Sequence, residues 1–190
     1  TGGLAKQGTG TLTLSGANSY SGPTSVTQGT LRVANTEALG SSSSFSLDNG
    51  TLSFGVSPLG ERSGSLVLGG NGGVLDVDVD QSLSLSGVVS GTGSLTKTGG
   101  GQLSFSGVNT YTGQTVISDG ALLVSGSLSD ETDVLIGEGS VYELGSSDRV
   151  GSIAGGGSIV LNTFRLTAGN ELDTTFSGVM SGEGGFTKVG

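Results

Sequence analysis

The chain has 190 residues, of which 39 are Gly and none is Cys or His. Without Cys there are no disulfides or thiolate metal sites, and without His there is neither a Ser-His-Asp triad nor His-ligated zinc. The net charge is -9 with seven Lys and Arg residues, too few for the basic surface that a nucleic-acid partner requires.

The predicted elements are short strands. In TLTL at 11–14, Leu12 and Leu14 alternate with Thr, which predicts a strand with one buried face. The same period of two recurs along the chain, at 30–33 (TLRV), 75–80 (LDVDVD) and 82–87 (SLSLSG). Gly, Asn, Asp and Ser separate these segments and favour turns. No window of ten or more residues shows a helical stripe, so the sequence predicts an all-β fold without substantial helix.

One phrase occurs twice, at a spacing of 91 residues. LAKQGTGTLTLSGANSYSGPTSVTQGTLRV at 4–33 and LTKTGGGQLSFSGVNTYTGQTVISDGALLV at 95–124 are identical at 14 of 30 positions. A third copy starts at 186, because FSGVMSGEGGFTKVG at 176–190 matches the residues that lead into the second copy. We therefore expect 1–190 to be a single segment of a longer repeating array.

A tandem repeat of short strands favours stacked coils, in which each coil buries its apolar side chains against its neighbours. A sandwich or barrel also uses strands of this length, but the tandem period favours a parallel β-helix, or β-solenoid. At roughly 20–24 residues per coil, one repeat unit is expected to hold about four coils and the whole chain roughly eight.

The phrase supplies the candidate functional residues, at six positions where the same residue occurs in both copies. These residues are Lys6, Gly16, Asn18, Tyr20, Gly22 and Gly29 in the first copy, and Lys97, Gly107, Asn109, Tyr111, Gly113 and Gly120 in the second. The glycines are expected at coil corners, where positive φ or close backbone approach is needed. The Asn residues are expected to bond their own turn, and the Tyr residues to pack beside a corner rather than stack on sugars. The Lys residues are expected to be exposed or locally paired.

The phrase L-[AT]-K-x-G-x-G-x-L-[ST]-[LF]-S-G-x-N-[ST]-Y-[ST]-G-x-T, followed by G-[TA]-L-x-V, resembles the passenger-associated transport repeat of bacterial autotransporters. The resemblance implies a right-handed parallel β-helix in the secreted passenger of a type V secretion system. It also implies a C-terminal β-barrel translocator in the same parent protein, which we expect to lie outside this chain. The implied location is the bacterial cell surface, with anchorage at the outer membrane through that barrel.

Asp76, Asp78 and Asp80 alternate with Val and would share one face of a strand, about 7 Å between successive members. Such a row is a candidate Ca²⁺ site, because Ca²⁺ prefers several oxygen ligands. The alternative is a solvated strand face whose charges discourage aggregation. No cofactor is predicted.

Three functions fit these observations. The first is a structural stalk that aids folding and export of the passenger and presents distal functional regions. The second is an adhesin or self-association module that binds host surface glycans, host proteins or sister cells. The third is a carbohydrate-active β-helix enzyme, which would use carboxylates with Lys or Arg. The acids are scattered and aromatic residues make up only 5% of the chain, so we predict that the segment is a stalk and not an enzyme.

Overall fold

Every strand in the described part of this protein pairs in parallel with strands one coil away. The computed structural model describes residues 2–42, 44–56 and 61–190. These residues form 23 strands, and all of the pairings between them are parallel. No helix occurs in the described part of the chain. The predicted all-β parallel solenoid is confirmed.

The strands form four sheets. Sheet 1 contains β1 (Leu4–Lys6), β3 (Thr24–Val26), β5 (Ser44–Leu47), β8 (Ser65–Leu68) and β11 (Val89–Gly91). Sheet 2 contains β2 (Thr11–Leu14), β4 (Gly29–Val33), β6 (Gly50–Phe54), β9 (Gly73–Val77), β12 (Leu95–Thr98), β14 (Thr115–Ile117), β16 (Asp133–Ile136) and β19 (Ser152–Gly155). Sheet 3 contains β7 (Glu61–Arg62), β10 (Ser82–Leu85), β13 (Gln102–Phe105), β15 (Ala121–Val124), β17 (Val141–Leu144), β20 (Ser158–Val160) and β22 (Val179–Ser181). Sheet 4 contains β18 (Asp148–Val150), β21 (Arg165–Ala168) and β23 (Gly185–Lys188).

The chain visits sheets 1, 2 and 3 in this order, and coils such as β5–β6–β7 and β8–β9–β10 contribute one strand to each face, whereas others contribute to only two. Sheets 1 and 4 occupy the same face of the rod, sheet 1 in the N-terminal coils and sheet 4 in the C-terminal ones. Register partners in sheet 2 lie 19 to 23 positions apart, as in the pairs Thr11–Thr30 and Leu52–Leu75. The chain makes about nine turns, close to the eight predicted. The right-handed sense of the coil stays a prediction, in line with the strong preference of parallel crossover connections.

Apolar side chains fill the bore in ladders that run from coil to coil. In sheet 2, Leu31, Leu52 and Leu75 are register partners and all are buried. In sheet 3, Leu103 lies between Leu83 and Leu122 and is also fully buried. The period of two predicted these inward positions, because alternate side chains of a strand point to opposite faces. The prediction was wrong for Leu12 and Val79, which are exposed. Leu12 lies in β2, the edge strand of sheet 2, and Val79 lies beyond the end of β9 at Val77.

The repeat unit does not hold a whole number of coils. The first strand of the phrase is β1 in sheet 1 for the first copy and β12 in sheet 2 for the second. Between them the chain completes four coils and advances by one further face. One repeat unit therefore holds four and a third coils, where about four were expected. As a result, equivalent residues of the two copies point in different directions around the rod.

The phrase also replaces one strand of its own coil with irregular backbone. In the second copy, residues 106–114 connect β13 of sheet 3 to β14 of sheet 2 and contribute only an isolated bridge, between Val108 and Ser127. Sheet 1 ends at β11 and sheet 4 begins at β18, on either side of this connection. In the first copy, residues 15–23 connect sheet 2 to sheet 1 in the same irregular way.

The repeat motif as the candidate functional site

The lysines of the phrase occupy positions that belong to the apolar core. In sheet 2, Lys97 is the register partner of Leu75 on one side and of Ile117 on the other. Its side chain is 0% exposed. Lys6 is the partner of Val26 and is also buried. Of the two expected states, exposed or locally paired, exposure is therefore wrong for both lysines. The alternation L-x-K carries the signal, because a residue two positions after an inward Leu also points inward.

Each buried ammonium group ends among backbone carbonyl oxygens. Lys97 donates to the carbonyl oxygens of Thr98 at 2.7 Å, Gly99 at 2.5 Å and Asp119 at 3.2 Å. Burial lowers the pKa of Lys97 to about 8. Gly99 has φ 72°, the conformation that favours Gly and that turns the chain immediately after the strand. The ammonium group thus satisfies three carbonyls of two successive coils.

The other two copies repeat this arrangement. Lys6 donates to the carbonyls of Gln7, Gly8 and Gln28, the last of which lies in the next coil. Lys188 donates only to the carbonyls of Val189 and Gly190, and its side chain is exposed. The same contact with the turn therefore forms at all three positions, with the bond to the following coil in the first two.

Asn109 replaces backbone partners where the sheet is interrupted. Its Nδ2 donates to the carbonyls of Gly107 at 3.2 Å and Ser127 at 2.9 Å, and its Oδ1 accepts from the backbone N–H of Val89 at 2.9 Å. Asn18 bonds the carbonyls of Gly16 and Ala38 in the same way. The expected bond to the local turn is present, and the bonds to neighbouring coils are additional.

The tyrosines pack against the coil and hydrogen-bond to a threonine four positions later. Tyr111 is fully buried and its hydroxyl bonds the hydroxyl of Thr115. Tyr20 makes the equivalent bond to Thr24, at 3.1 Å. Burial raises the pKa of Tyr111 well above its ordinary value. The Tyr111 hydroxyl therefore stays protonated. Because the side chain is fully buried, its aromatic ring has no exposed face that could stack on a sugar.

The glycines lie where a coil approaches its neighbour. Gly29 and Gly120 have φ 67° and 68°. A Cβ on Gly22 would lie 2.6 Å from the carbonyl oxygen of Gly2, and Gly113 is equally crowded by the carbonyl of Gly93. Glycine is therefore required at these corners for two reasons, a positive φ at Gly29 and Gly120 and close approach of the neighbouring backbone at Gly22 and Gly113.

Gly16 and Gly107 are equivalent in sequence but not in surroundings. A Cβ on Gly107 would lie 2.7 Å from the carbonyl oxygen of Gly87 in the preceding coil, whereas a Cβ on Gly16 would have open space around it. The need for Gly at this position therefore depends on the coil stacked against it.

The three aspartates do not form the predicted row. Strand β9 ends at Val77, and Asp80 lies in the following turn with φ 63°. Both carboxylate oxygens of Asp76 accept hydrogen bonds, from the hydroxyls of Ser53 and Thr98, and Asp78 pairs with the guanidinium of Arg32. A turn begins before the alternation ends, which separates Asp80 from the strand. In residues 2–42, 44–56 and 61–190 no group of three acidic side chains is arranged to hold a metal ion.

Asp148 is a buried polar residue that the sequence reasoning missed. Its carboxylate accepts from the backbone N–H of Leu128 at 3.1 Å and from the hydroxyl of Tyr142 at 3.2 Å. Burial raises the pKa of Asp148. Sheets 1 and 4 share one face of the rod and are separated by coils without regular strand pairing. Like Asn109, Asp148 supplies a side-chain hydrogen-bond acceptor in that gap. No sequence signal marked it, since it lies outside the repeated phrase.

The family model of the passenger-associated-transport-repeat matches residues 4–33 and 95–124. The chain is also 41% identical over 133 residues to the adhesin BmaC autotransporter of Brucella suis biovar 1 (strain 1330). That alignment covers 69% of the chain and 4% of the relative.

This chain belongs to the passenger domain of an autotransporter. It is further similar to the extracellular serine protease of Serratia marcescens, with 41% identity over 81 residues, covering 40% of the passenger chain and 8% of that protein. The passenger chain thus spans a small fraction of both relatives. No solved structure shows significant similarity to it. None of its described residues forms a helix long and apolar enough to cross a membrane.

Proposed function

We propose that this passenger chain is a structural stalk, which aids folding and export across the outer membrane and presents distal functional regions. The observation that carries the proposal is the use of the motif's polar groups. The ammonium of Lys97, the amide of Asn109 and the hydroxyl of Tyr111 are all bonded within the rod. The Lys97 and Asn109 bonds join successive coils, and all three groups are occupied within the rod, which leaves little for a ligand.

The stacked architecture supports a role in export. A coil of a solenoid forms once its neighbour is in place, so that folding propagates along the rod. Coils that have folded outside the cell no longer fit back through a narrow pore. Folding would then rectify diffusion of the chain through the C-terminal β-barrel translocator of the parent protein. The proposed location is the cell surface, with anchorage at the outer membrane through that barrel.

The second candidate is an adhesin or self-association module, which is favoured by the similarity to the Brucella relative, an adhesin. The partner would be a host surface glycan or protein, or a sister cell. The positions of the two copies around the rod argue against the repeated phrase itself as a continuous binding surface. Because the phrase advances by a third of a coil from one copy to the next, its residues do not align on one side of the rod.

An enzymatic role for this chain has less support. The Serratia relative is called a serine protease, but this chain has no His and therefore no Ser-His-Asp triad of its own. A carbohydrate-active site would need a pair of free carboxylates in a cleft. Asp76 and Asp78, which are close together in the sequence, already have partners. Asp76 accepts hydrogen bonds from Ser53 and Thr98, and Asp78 pairs with Arg32.

The test uses the parent protein with its translocator. Lys6 and Lys97 are both replaced by Met, and the matched control is Lys188→Met, which removes the exposed lysine of the third copy. Surface display is measured by antibody labelling of intact cells, and adhesion is measured per displayed molecule. A stalk role predicts reduced display of the Lys double variant with unchanged adhesion per molecule. Normal display with lost adhesion would instead support the adhesin function.

A further inference from the structure

Two arginines stand apart from the other cations of the chain. Lys6, Lys97 and Lys188 bond turn carbonyls, and Arg32 pairs with Asp78. Arg62 is the register partner of the inward Leu85. Arg149 and Arg165 remain, and both are exposed on the outer face of sheet 4.

The register of sheet 4 makes these two arginines neighbours. Arg149 in β18 is the partner of Thr167 in β21, two positions beyond Arg165. The backbone N–H of Arg165 donates to the hydroxyl of Ser147 in the preceding coil, at 3.1 Å. The arginines therefore occupy one diagonal of a two-by-two set of outward positions, and Ser147 and Thr167 occupy the other. Such a diagonal spans about 8 Å between Cα atoms, which allows both guanidinium groups to reach one ligand.

Both guanidinium groups are available to a ligand. The pair of Arg149 with Asp130 is 3.5 Å long, and the two side chains are 51% and 69% exposed. Exposed pairs of this kind are weak and exchange readily. Arg165 makes only a 3.5 Å contact with the hydroxyl of Thr187, and no carboxylate of the described residues lies within 4.0 Å of it.

A groove runs across this set of side chains. Its lining consists of Ser127, Ser147, Thr167 and the two arginines together with two acidic residues, Asp130 and Asp148. Asp148 is buried and bonded to the N–H of Leu128 and the hydroxyl of Tyr142. No apolar residue lines the groove. Guanidinium groups bind carboxylate or sulfate in bidentate fashion. A row of hydroxyls is suited to the ring hydroxyls of a sugar, and the groove lacks an apolar pocket for the side chains of a peptide.

We propose that this surface, the diarginine groove, binds sulfate or carboxylate groups of an extended acidic polysaccharide. Arg149 and Arg165 hold the oxyanion, and the hydroxyls contact the adjoining sugar. Asp130 competes with the ligand for Arg149. The proposal needs only the fold described above and goes beyond the stalk function, so that failure of one leaves the other standing.

The test is equilibrium binding of the 190-residue chain to four labelled probes. These are a sulfated hexasaccharide, the same hexasaccharide without sulfate, an oligogalacturonide that carries only carboxylates, and an acidic phosphopeptide. The double variant R149Q/R165Q should bind the acidic saccharides about tenfold more weakly than the wild type. Asp130→Asn should bind them more tightly, and added NaCl should weaken binding. Arg32→Gln, on sheet 2, is the matched control and should bind as the wild type does.

The two acidic saccharides distinguish sulfate from carboxylate as the preferred group, and binding of either one supports the proposal. The absence of binding to both would overturn it, as would equal binding of the unsulfated hexasaccharide, which is chosen to carry no carboxylate. A phosphopeptide that binds as tightly as the saccharides would show that the groove selects an oxyanion without a sugar, which contradicts the proposed ligand. Thermal unfolding of each variant checks that the exposed substitutions leave the rod folded.

Discussion

Lys97 and Asp119 join two successive coils, because the Lys97 ammonium group donates to the Asp119 carbonyl oxygen at 3.2 Å. The same nitrogen also holds the carbonyls of Thr98 and Gly99, so that a single buried cation connects a turn with the coil that follows. Lys6 and Gln28 form the equivalent connection in the first copy. The recurring Lys of the phrase is therefore a joint between coils.

Replacement of Lys97 by Met is expected to lower the free energy of unfolding by about 1–3 kcal/mol. Met keeps the apolar stem within the core but leaves the three carbonyls without their donor. Relief from burying the charge offsets part of this loss. Urea denaturation measures the change. The control is Lys188→Met, which should cost less because Lys188 is exposed and bonds only its own turn. If Lys97→Met were as stable as the wild type, the joint would have no energetic role.

Gly107→Ala and Gly16→Ala form a matched pair, because the two glycines are equivalent in the phrase. The new Cβ at position 107 meets the carbonyl oxygen of Gly87 at 2.7 Å, which forces the coils apart. We expect a loss of about 1–3 kcal/mol at this position and less than about 0.5 kcal/mol at position 16. Thermal or chemical unfolding compares them. Equal losses would mean that the local turn, and not the stacked coil, requires Gly.

Asp148→Asn should change how stability depends on pH. Burial raises the pKa of Asp148 in the folded state, so its contribution to stability is present below the unfolded pKa and is lost as pH rises through the folded pKa. Asn keeps the oxygen that accepts from Leu128 but does not titrate. The stability of the Asn variant relative to the wild type should therefore increase from pH 3.5 towards neutral pH.

The measurement for Asp148 is the melting temperature across that pH range. The nearby Tyr142 stays protonated there because burial raises its pKa, and Asp130 and Arg149 are present in both proteins. Asp148→Leu is the second variant, and it should be less stable at every pH because it leaves the N–H of Leu128 without an acceptor. Parallel curves for the wild type and the Asn variant would contradict the prediction.

Calcium is not expected to stabilise the rod. The oxygens of Asp76 already accept from Ser53 and Thr98, and Asp78 pairs with Arg32. A Ca²⁺ site needs six or more oxygen ligands, and this arrangement offers too few free ones. Melting temperatures in Ca²⁺ and in chelator should agree. A clear rise with Ca²⁺ that Asp76→Asn abolishes would restore the aspartates as a metal site.

The sequence by itself determined the architecture of this protein. The period of two predicted which residues of Ser82–Leu85 are buried, and the tandem phrase indicated stacking of coils. The turn role of Asn109 and the crowding at Gly113 also followed from residue type. These inferences succeeded because they depend on side-chain alternation and local backbone preference, which act over a few residues.

The tertiary structure alone decided which distant groups meet. Register partners in sheet 2 are 19 to 23 positions apart, and these differences add up over four coils until the second copy of the phrase lies on another face. The lengths of the individual coils between them decide that Asp119 receives the Lys97 ammonium group and that Arg32 reaches Asp78. The length of each turn sets the offset, and sequence alternation within a strand carries no information about it.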